Sequence, residues 1–267
     1  MTSSGAAIRS WLPAPVSLHL APNDVHVWLA PLDVSSRLLE TLAATLSAEE
    51  GARAGRFYFD RDRRRSACAR GILRDILGRY LDSEPRELQF RYGPHGKPAL
   101  CGAVGAPVAF NVSHSHDLAL FAFSGGRDLG VDIEAIRPMP DGEDIASRFF
   151  SAREVACLKS LPAAIRNAAF FTCWTRKEAY LKALGDGLAR PLDGFDVTFG
   201  PGEAARLTVA GDAGESARWS VAPLPAPAGY AAAVVAEGRV DHVRCWSWIE
   251  PATSRMTTVL DEAKEAV

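Results

Sequence analysis

The sequence predicts an α/β (α+β) protein made of two lobes in contact. Three observations predict it. Each half of the 267 residues mixes helical patterns with short strand patterns. Hydrophobic residues make up 48% and charged residues 23%, which are ordinary globular values and exclude a disordered chain. A chain this long buries a substantial core without metals or disulfides. The expected divisions are a lead-in over 1–22, an N-terminal lobe over 23–128, a C-terminal lobe over 129–250 and a tail over 251–267. No sequence repeat and no long linker is evident.

The elements follow in order. Residues 1–22 are small, polar and punctuated by proline, and read as a loose lead-in. Val25–Leu29 reads as the first strand. Ser47-Ala48-Glu49-Glu50 has capping-box spacing and should start a helix. Arg53 to Tyr80 is helical in pattern, with Ile72, Leu73, Ile76, Leu77 and Leu81 as its apolar stripe. Leu88–Tyr92 reads as a short strand, and Gly93-Pro94-His95-Gly96-Lys97-Pro98 as a turn. Strands are expected over Val108–Ser113, Leu118–Phe123 and Leu129–Ile133, with Gly125-Gly126 turning between the last two. Ser151-Ala152-Arg153-Glu154 is a second capping box. A long helix over Ile165–Leu184 stops at Gly185-Asp186-Gly187. The remainder reads as β: Phe195–Phe199, Leu207–Val209, Trp219–Ala222, Tyr230–Val235 and Val243–Ile249.

Charge and cysteine usage narrow the function. Thirty Lys+Arg against 32 Asp+Glu leave a net charge of −2, so nothing suggests a nucleic-acid or membrane coat. The cysteines Cys68, Cys101, Cys157, Cys173 and Cys245 are odd in number and widely spaced. They read as buried thiols of a reducing compartment rather than disulfides or a zinc site. No run reaches the ~18 apolar residues of a spanning helix. Pro13 and Pro15 break the apolar segment after Arg9, which makes a poor signal peptide, and the expected location is the cytoplasm.

Four segments carry chemistry. In Gly130-Val131-Asp132-Ile133-Glu134, strand alternation turns Val131 and Ile133 to the core and sets Asp132 beside Glu134. That pair is either a solvated strand face or a hard-cation site for Mg²⁺. Trp174, Glu178 and Lys182 share one helix face. They are either a surface Glu–Lys pair or a third metal carboxylate with a lysine aimed at phosphate. Phe110 to His116 ends a strand in polar residues and two histidines. It lacks the Gly-x-Ser-x-Gly elbow of a serine hydrolase. Arg53, Arg56, Arg61, Arg63, Arg64, Arg65, Arg70 and Arg74 form a basic run, either a solvated face or a site for phosphate or an acidic partner. Lys97 sits in a turn that could hold it against an anion.

Taken together these segments resemble the Sfp-type 4′-phosphopantetheinyl transferases. The resemblance runs in order over most of the chain: Arg-Phe-Tyr at 56–58, Gly-Lys-Pro at 96–98, Phe-Asn-Val-Ser-His-Ser at 110–115 and Gly-Val-Asp-Ile-Glu at 130–134. It continues with Arg-Phe-Phe-Ser at 148–151, Trp-Thr-Arg-Lys-Glu-Ala-Tyr-Leu-Lys at 174–182 and Pro-Leu-Asp-Gly-Phe at 191–195. It implies two similar α/β lobes with pseudo-twofold symmetry and an active site in the cleft between them, working as a monomer. It implies transfer of phosphopantetheine from coenzyme A to a serine of an apo acyl or peptidyl carrier protein. The carriers would belong to fatty acid, polyketide or nonribosomal peptide synthesis, and adenosine 3′,5′-bisphosphate would leave.

By the same resemblance, Asp132, Glu134 and Glu178 hold Mg²⁺ (or Mn²⁺), and Glu178 takes the proton from the serine. Lys182 stabilises the bridging phosphates, and Ser113 and His114 contact phosphate. Lys97 and Pro98 lie near the adenosine, and Arg53 and Arg65 grip the 3′-phosphate. Glu50 departs from the pattern, standing where many relatives carry lysine. The arginine-rich helices and the Trp174 helix are expected to meet an acidic carrier. Two competing readings use the same residues: a Mg²⁺-dependent phosphohydrolase of coenzyme A or a nucleotide, and a non-catalytic coenzyme A or carrier-binding protein.

Overall fold

The computed structural model describes residues 11–93, 96–101, 108–185 and 190–248. The tail over 251–267 and part of the lead-in lie outside these residues. Chain order begins β1 (Leu12–Pro13), β2 (Asp24–Pro31), α1 (Ser36–Ala43), α2 (Ala48–Gly55), α3 (Asp60–Leu81), β3 (Phe90–Tyr92), β4 (Pro98–Leu100), β5 (Ala109–Ser115) and β6 (Leu118–Ser124). It continues β7 (Leu129–Ala135), α4 (Gly142–Phe149), α5 (Ala152–Ser160), α6 (Ala163–Leu184), β8 (Asp196–Val197), β9 (Leu207–Thr208), α7 (Ala213–Arg218), β10 (Trp219–Pro223), β11 (Tyr230–Glu237) and β12 (His242–Ser247).

Both capping boxes form. Ser47 caps α2 with Glu50 reaching back, and Ser151 caps α5 with Glu154 reaching back. The helical stretch after Arg53 is not continuous. It breaks at Phe57-Tyr58-Phe59, where Arg63 Nη1 donates to the carbonyls of Phe57 and Tyr58, both at 2.9 Å. The break lets α2 fold back on α3, and Glu50 then meets Arg74 in a buried pair at 2.7 Å. Gly185, at φ 76°, ends α6 in the left-handed conformation that glycine adopts without strain.

The sheets repeat one plan. The first orders its strands β1-β12-β2-β6-β5 and the second β10-β11-β7. In each lobe the opening strand (β2, β7) pairs antiparallel with the last strand of a hairpin (β6, β11), whose first strand (β5, β10) lies outermost. Helices α3 and α6, each of 22 residues, cross the two sheets. The expected pair of similar lobes is therefore present in topology.

Alternation of side chains along the strands divides the core. His26, Trp28 and Phe121 face the first lobe's helices, while Val25, Val27, Leu120, Val131 and Ile133 share a cluster drawn from both sheets. At ~25 cal/mol per Å², each such buried aliphatic side chain contributes roughly 1.5–3 kcal/mol.

Several expectations need correction. The C-terminal lobe does not keep all of 129–250, because β12 pairs parallel with β2 and places Trp246 and Trp248 in the first lobe's core. The lead-in is not loose from residue 11 onward: β1 pairs with β12, and Trp11 Nε1 donates to the Pro225 carbonyl at 2.5 Å. Helices α1, α4 and α7 add to the elements expected from the sequence; all are short, and α1 is held by Ser35 at its N-cap. Among the cysteines, Cys68 and Cys173 are buried as expected, but Cys101 is exposed. Among the described residues, no helix is long and apolar enough to cross a membrane.

Candidate functional site

Gly130 is the first requirement of the site. A Cβ there would lie 2.1 Å from the Ala179 carbonyl oxygen and 2.4 Å from the Ala183 nitrogen. Only glycine lets α6 lie directly on β7. That contact carries Lys182 to the neighbouring Asp132, with Nζ 2.6 Å from Oδ1. The Glu178–Lys182 surface pair therefore does not form; Lys182 turns to the strand instead. Asp132 is 3% exposed, so its strand face is not solvated.

Strand β5 supplies the second layer. Asn111, Ser113 and Ser115 accept hydrogen bonds from the backbone N–H groups of Val131, Ile133 and Ala135 at 2.9, 3.3 and 3.1 Å. Their side chains thus satisfy a strand edge that no backbone partner covers. The two hydroxyls also donate onward: Ser113 to Asp132 Oδ1 and Ser115 to Glu134 Oε2, both at 2.8 Å. Ser113 further accepts from Lys182 Nζ at 2.9 Å. Its hydroxyl is buried and committed to three partners, and it orients Asp132. Ser115 was not singled out as a site residue. The signal was available, since two-residue spacing from Ser113 to Ser115 matches that from Asp132 to Glu134.

Three carboxyls share this neighbourhood. Burial holds each above the usual carboxylate range. For Asp132 the Lys182 charge and the Ser113 hydrogen bond oppose it. For Glu134 the Asp132 charge adds to burial, and for Glu178 both of the other carboxylates add to it. Crowded carboxylates of this kind favour a cation among them. Among the described residues, no group of three or more His, Cys, Asp or Glu side chains is placed so that it could hold a metal ion by itself. Asp132 Oδ2, however, is buried without a hydrogen-bond partner. Mg²⁺ commonly takes only one or two carboxylates and completes its shell with water and substrate phosphate, so this donor set suits it.

A cavity of about 150 Å³ adjoins the cluster, lined in part by Arg53, Arg70, Pro98 and His114. His114 follows Ser113 on β5, so one strand contributes to both. Its surroundings, and then the Lys182 charge, hold His114 below the usual imidazole pKa. Arg53 lies 4.2 Å from the centre of the Tyr92 ring. Arg70 donates to the Tyr92 hydroxyl at 2.7 Å and leaves its buried Nη1 without a hydrogen-bond partner. Glu50 borders this cavity, but its carboxylate caps α2 and pairs with Arg74, so a structural duty accounts for its presence.

Two expected ligands of coenzyme A are engaged elsewhere. Arg65 forks onto Asp33 at 2.8 and 2.6 Å and is not among the cavity's lining residues. Lys97 donates to three backbone carbonyls, those of Leu129, Lys182 and Ala183. Trp174 stacks on Phe170 and packs, partly buried, against the second lobe's core.

Comparison with known proteins covers both halves of the chain. Residues 128–235 match the model of the 4′-phosphopantetheinyl transferase superfamily. Residues 33–125 match the model for the N-terminal region of 4′-phosphopantetheinyl transferases. The 4′-phosphopantetheinyl transferase HetI of Nostoc sp. is 47% identical over 76% of this chain and 85% of its own length. The 4′-phosphopantetheinyl transferase Sfp of Bacillus subtilis is 30% identical over 59% of this chain and 68% of its own. A solved holo-[acyl-carrier-protein] synthase of Thermotoga maritima overlaps less, with a TM-score of 0.34 and 22% identity over 42% of this chain and 63% of that one, too little to support a conclusion.

Proposed function

This chain belongs to the 4′-phosphopantetheinyl transferase superfamily and is an enzyme of the Sfp type, and we propose that it moves the phosphopantetheine arm of coenzyme A onto a serine hydroxyl of an apo carrier protein. The observation that carries the proposal is the adjacency on β5: His114 lines a basic cavity while Ser113 holds Asp132 beside Lys182. An anion anchored in the cavity would lie next to a lysine and three carboxyls.

The chemistry follows from these groups. Arg53, Arg70 and His114 bind the phosphate of the nucleotide end. Lys182 has 30% of its side chain exposed and faces the pyrophosphate as charge builds on the leaving oxygen. Asp132, Glu134 and Glu178 are the carboxylates from which Mg²⁺ would take one or two ligands, and when bound it supplies charge neutralisation at the pyrophosphate. The serine oxygen bonds to the phosphopantetheine phosphorus, the bond from that phosphorus to the bridging oxygen breaks, and adenosine 3′,5′-bisphosphate departs. Glu178 accepts the serine proton. Both lobes contribute to the site within one chain, so a monomer suffices.

The test is the intact mass of an apo carrier incubated with this protein, coenzyme A and Mg²⁺, beside Glu178→Gln. A carrier heavier by one phosphopantetheine, and unchanged with the variant, supports the reading. Release of adenosine 3′,5′-bisphosphate without a mass gain on fatty acid, polyketide or peptide carriers would mark a hydrolase. Coenzyme A bound without turnover would mark a binding protein.

A further inference from the structure

Lys97 sits at the end of a hairpin. Strands β3 and β4 pair, Gly93 N donates to the Lys97 carbonyl at 2.9 Å, and Gly96 turns the chain at φ 80°. From there the side chain reaches the other lobe. Its ammonium lies 2.7 Å from the Lys182 carbonyl, 3.1 Å from that of Ala183 and 3.2 Å from that of Leu129. An ammonium has three N–H donors, and three acceptors take them. None is left for a phosphate or a base.

The acceptors matter as much as the donor. A helix ends with four carbonyls that lack intrahelical partners. In α6 the Gly185 N–H takes the Leu181 carbonyl, and Lys97 takes the next two. A cation at this end also opposes the helix dipole. The third carbonyl, of Leu129, opens β7 one residue before Gly130, where α6 and β7 touch. Lys97 therefore ties the last turn of α6, which carries Lys182, to the strand that carries Asp132.

We infer that Lys97 is a positioning residue: a helix cap supplied by one lobe to the other that fixes Lys182 against Asp132, its ammonium fully used in doing so. The same hairpin carries Pro98 at the cavity wall and Tyr92 against the cavity-lining Arg53, so the nucleotide end and the lysine end of the site share one support. The assignment rests on the transferase reading for its kinetic part only.

The experiment pairs steady-state kinetics with hydrogen exchange on the full chain. Lys97→Met keeps the aliphatic stem and removes the donors. It should lower kcat about tenfold or more, because small misplacements of a reacting group are costly. The KM for coenzyme A should stay within about twofold. Exchange at the amides of residues 181–185 should quicken while that of α3 stays unchanged. Lys97→Arg keeps charge and donors and should recover most of kcat and of the protection; it also serves if the methionine variant fails to fold. A tenfold rise in KM for coenzyme A with kcat unchanged would overturn the inference, as would unaltered exchange at the end of α6. A wild-type protein without transferase activity would overturn the functional reading alone, since the exchange comparison still decides the role of Lys97.

Discussion

Helices α3 and α6 invite a comparison, because they match in length and place and differ in what their charges touch. The fifteenth residue of each is a buried cation that meets a capping-box glutamate: Arg74 with Glu50 in the first lobe, Lys177 with Glu154 in the second. Each cation also donates to two carbonyls beyond its own helix, Arg74 to those of Pro85 and Leu88, Lys177 to those of Leu192 and Phe195. The sixteenth and twentieth residues diverge. In the first lobe Asp75 accepts from Trp248 and Arg79 lies over the Trp28 ring at 4.8 Å. In the second lobe Glu178 and Lys182 occupy those places, and they face Asp132 and Glu134. One architecture thus supports both lobes, while tryptophans are the partners in one and carboxylates in the other. The two fifteenth-residue cations have their hydrogen-bonding capacity consumed inside the fold, whereas Lys182 keeps part of its side chain exposed.

The sharpest way to break this comparison is to remove the twentieth residue from each helix. Lys182→Met should cut transfer about 10²–10³-fold, the usual cost of losing one electrostatic contact to developing charge. Arg79→Met should leave turnover within about twofold and lower only the melting temperature. Equal losses of turnover would show that the two lobes are not divided in this way.

The fifteenth residues should behave alike. Breaking a buried ion pair from one side costs about 3–5 kcal/mol. Arg74→Leu and Lys177→Leu should therefore each lower Tm by roughly 10 °C in a thermal melt. A drop in only one lobe would end the parallel between the two supports.

A smaller effect separates the lobes by pH. His26 is fully buried on β2, and burial holds its pKa down to about 4 from 6.5. The unfolded chain takes up that proton first, so this site disfavours the fold progressively as pH falls from about 6.5 to about 4. The loss is at most about 3 kcal/mol. His26→Phe should show a shallower decline in Tm over that interval than the wild type. Identical declines would mean that His26 is not held neutral.

Local signals in the sequence were easy to read. Ser-x-x-Glu gave both capping boxes, and alternation in Gly130–Glu134 put Asp132 and Glu134 on one face. The resemblance added Glu178 and Lys182; the structure joins Lys182 to Asp132 and sets Glu178 within electrostatic reach of Asp132 and Glu134. What escaped depends on distant partners. Lys97's three carbonyl acceptors lie on β7 and α6, far from it in sequence. Arg65 looked available until Asp33 was seen to occupy it. The two buried ion pairs mirror each other without a readable repeat, since one uses arginine and the other lysine. Short helices such as α7, six residues long, offer too few turns for periodicity to show.

The return of β12 to the first sheet also bears on biosynthesis. A chain emerges N-terminus first, and domains tend to fold as they appear. Here β2 must wait for a neighbour encoded more than two hundred residues later, as the pairing of Asp24 with His242 shows. Until then the indoles of Trp246 and Trp248 are missing from the first lobe's apolar interior, and Asp75 lacks the indole that donates to it. The second lobe has every strand of its own sheet before β12 is made. On the ribosome, the half that emerges first is the half completed last.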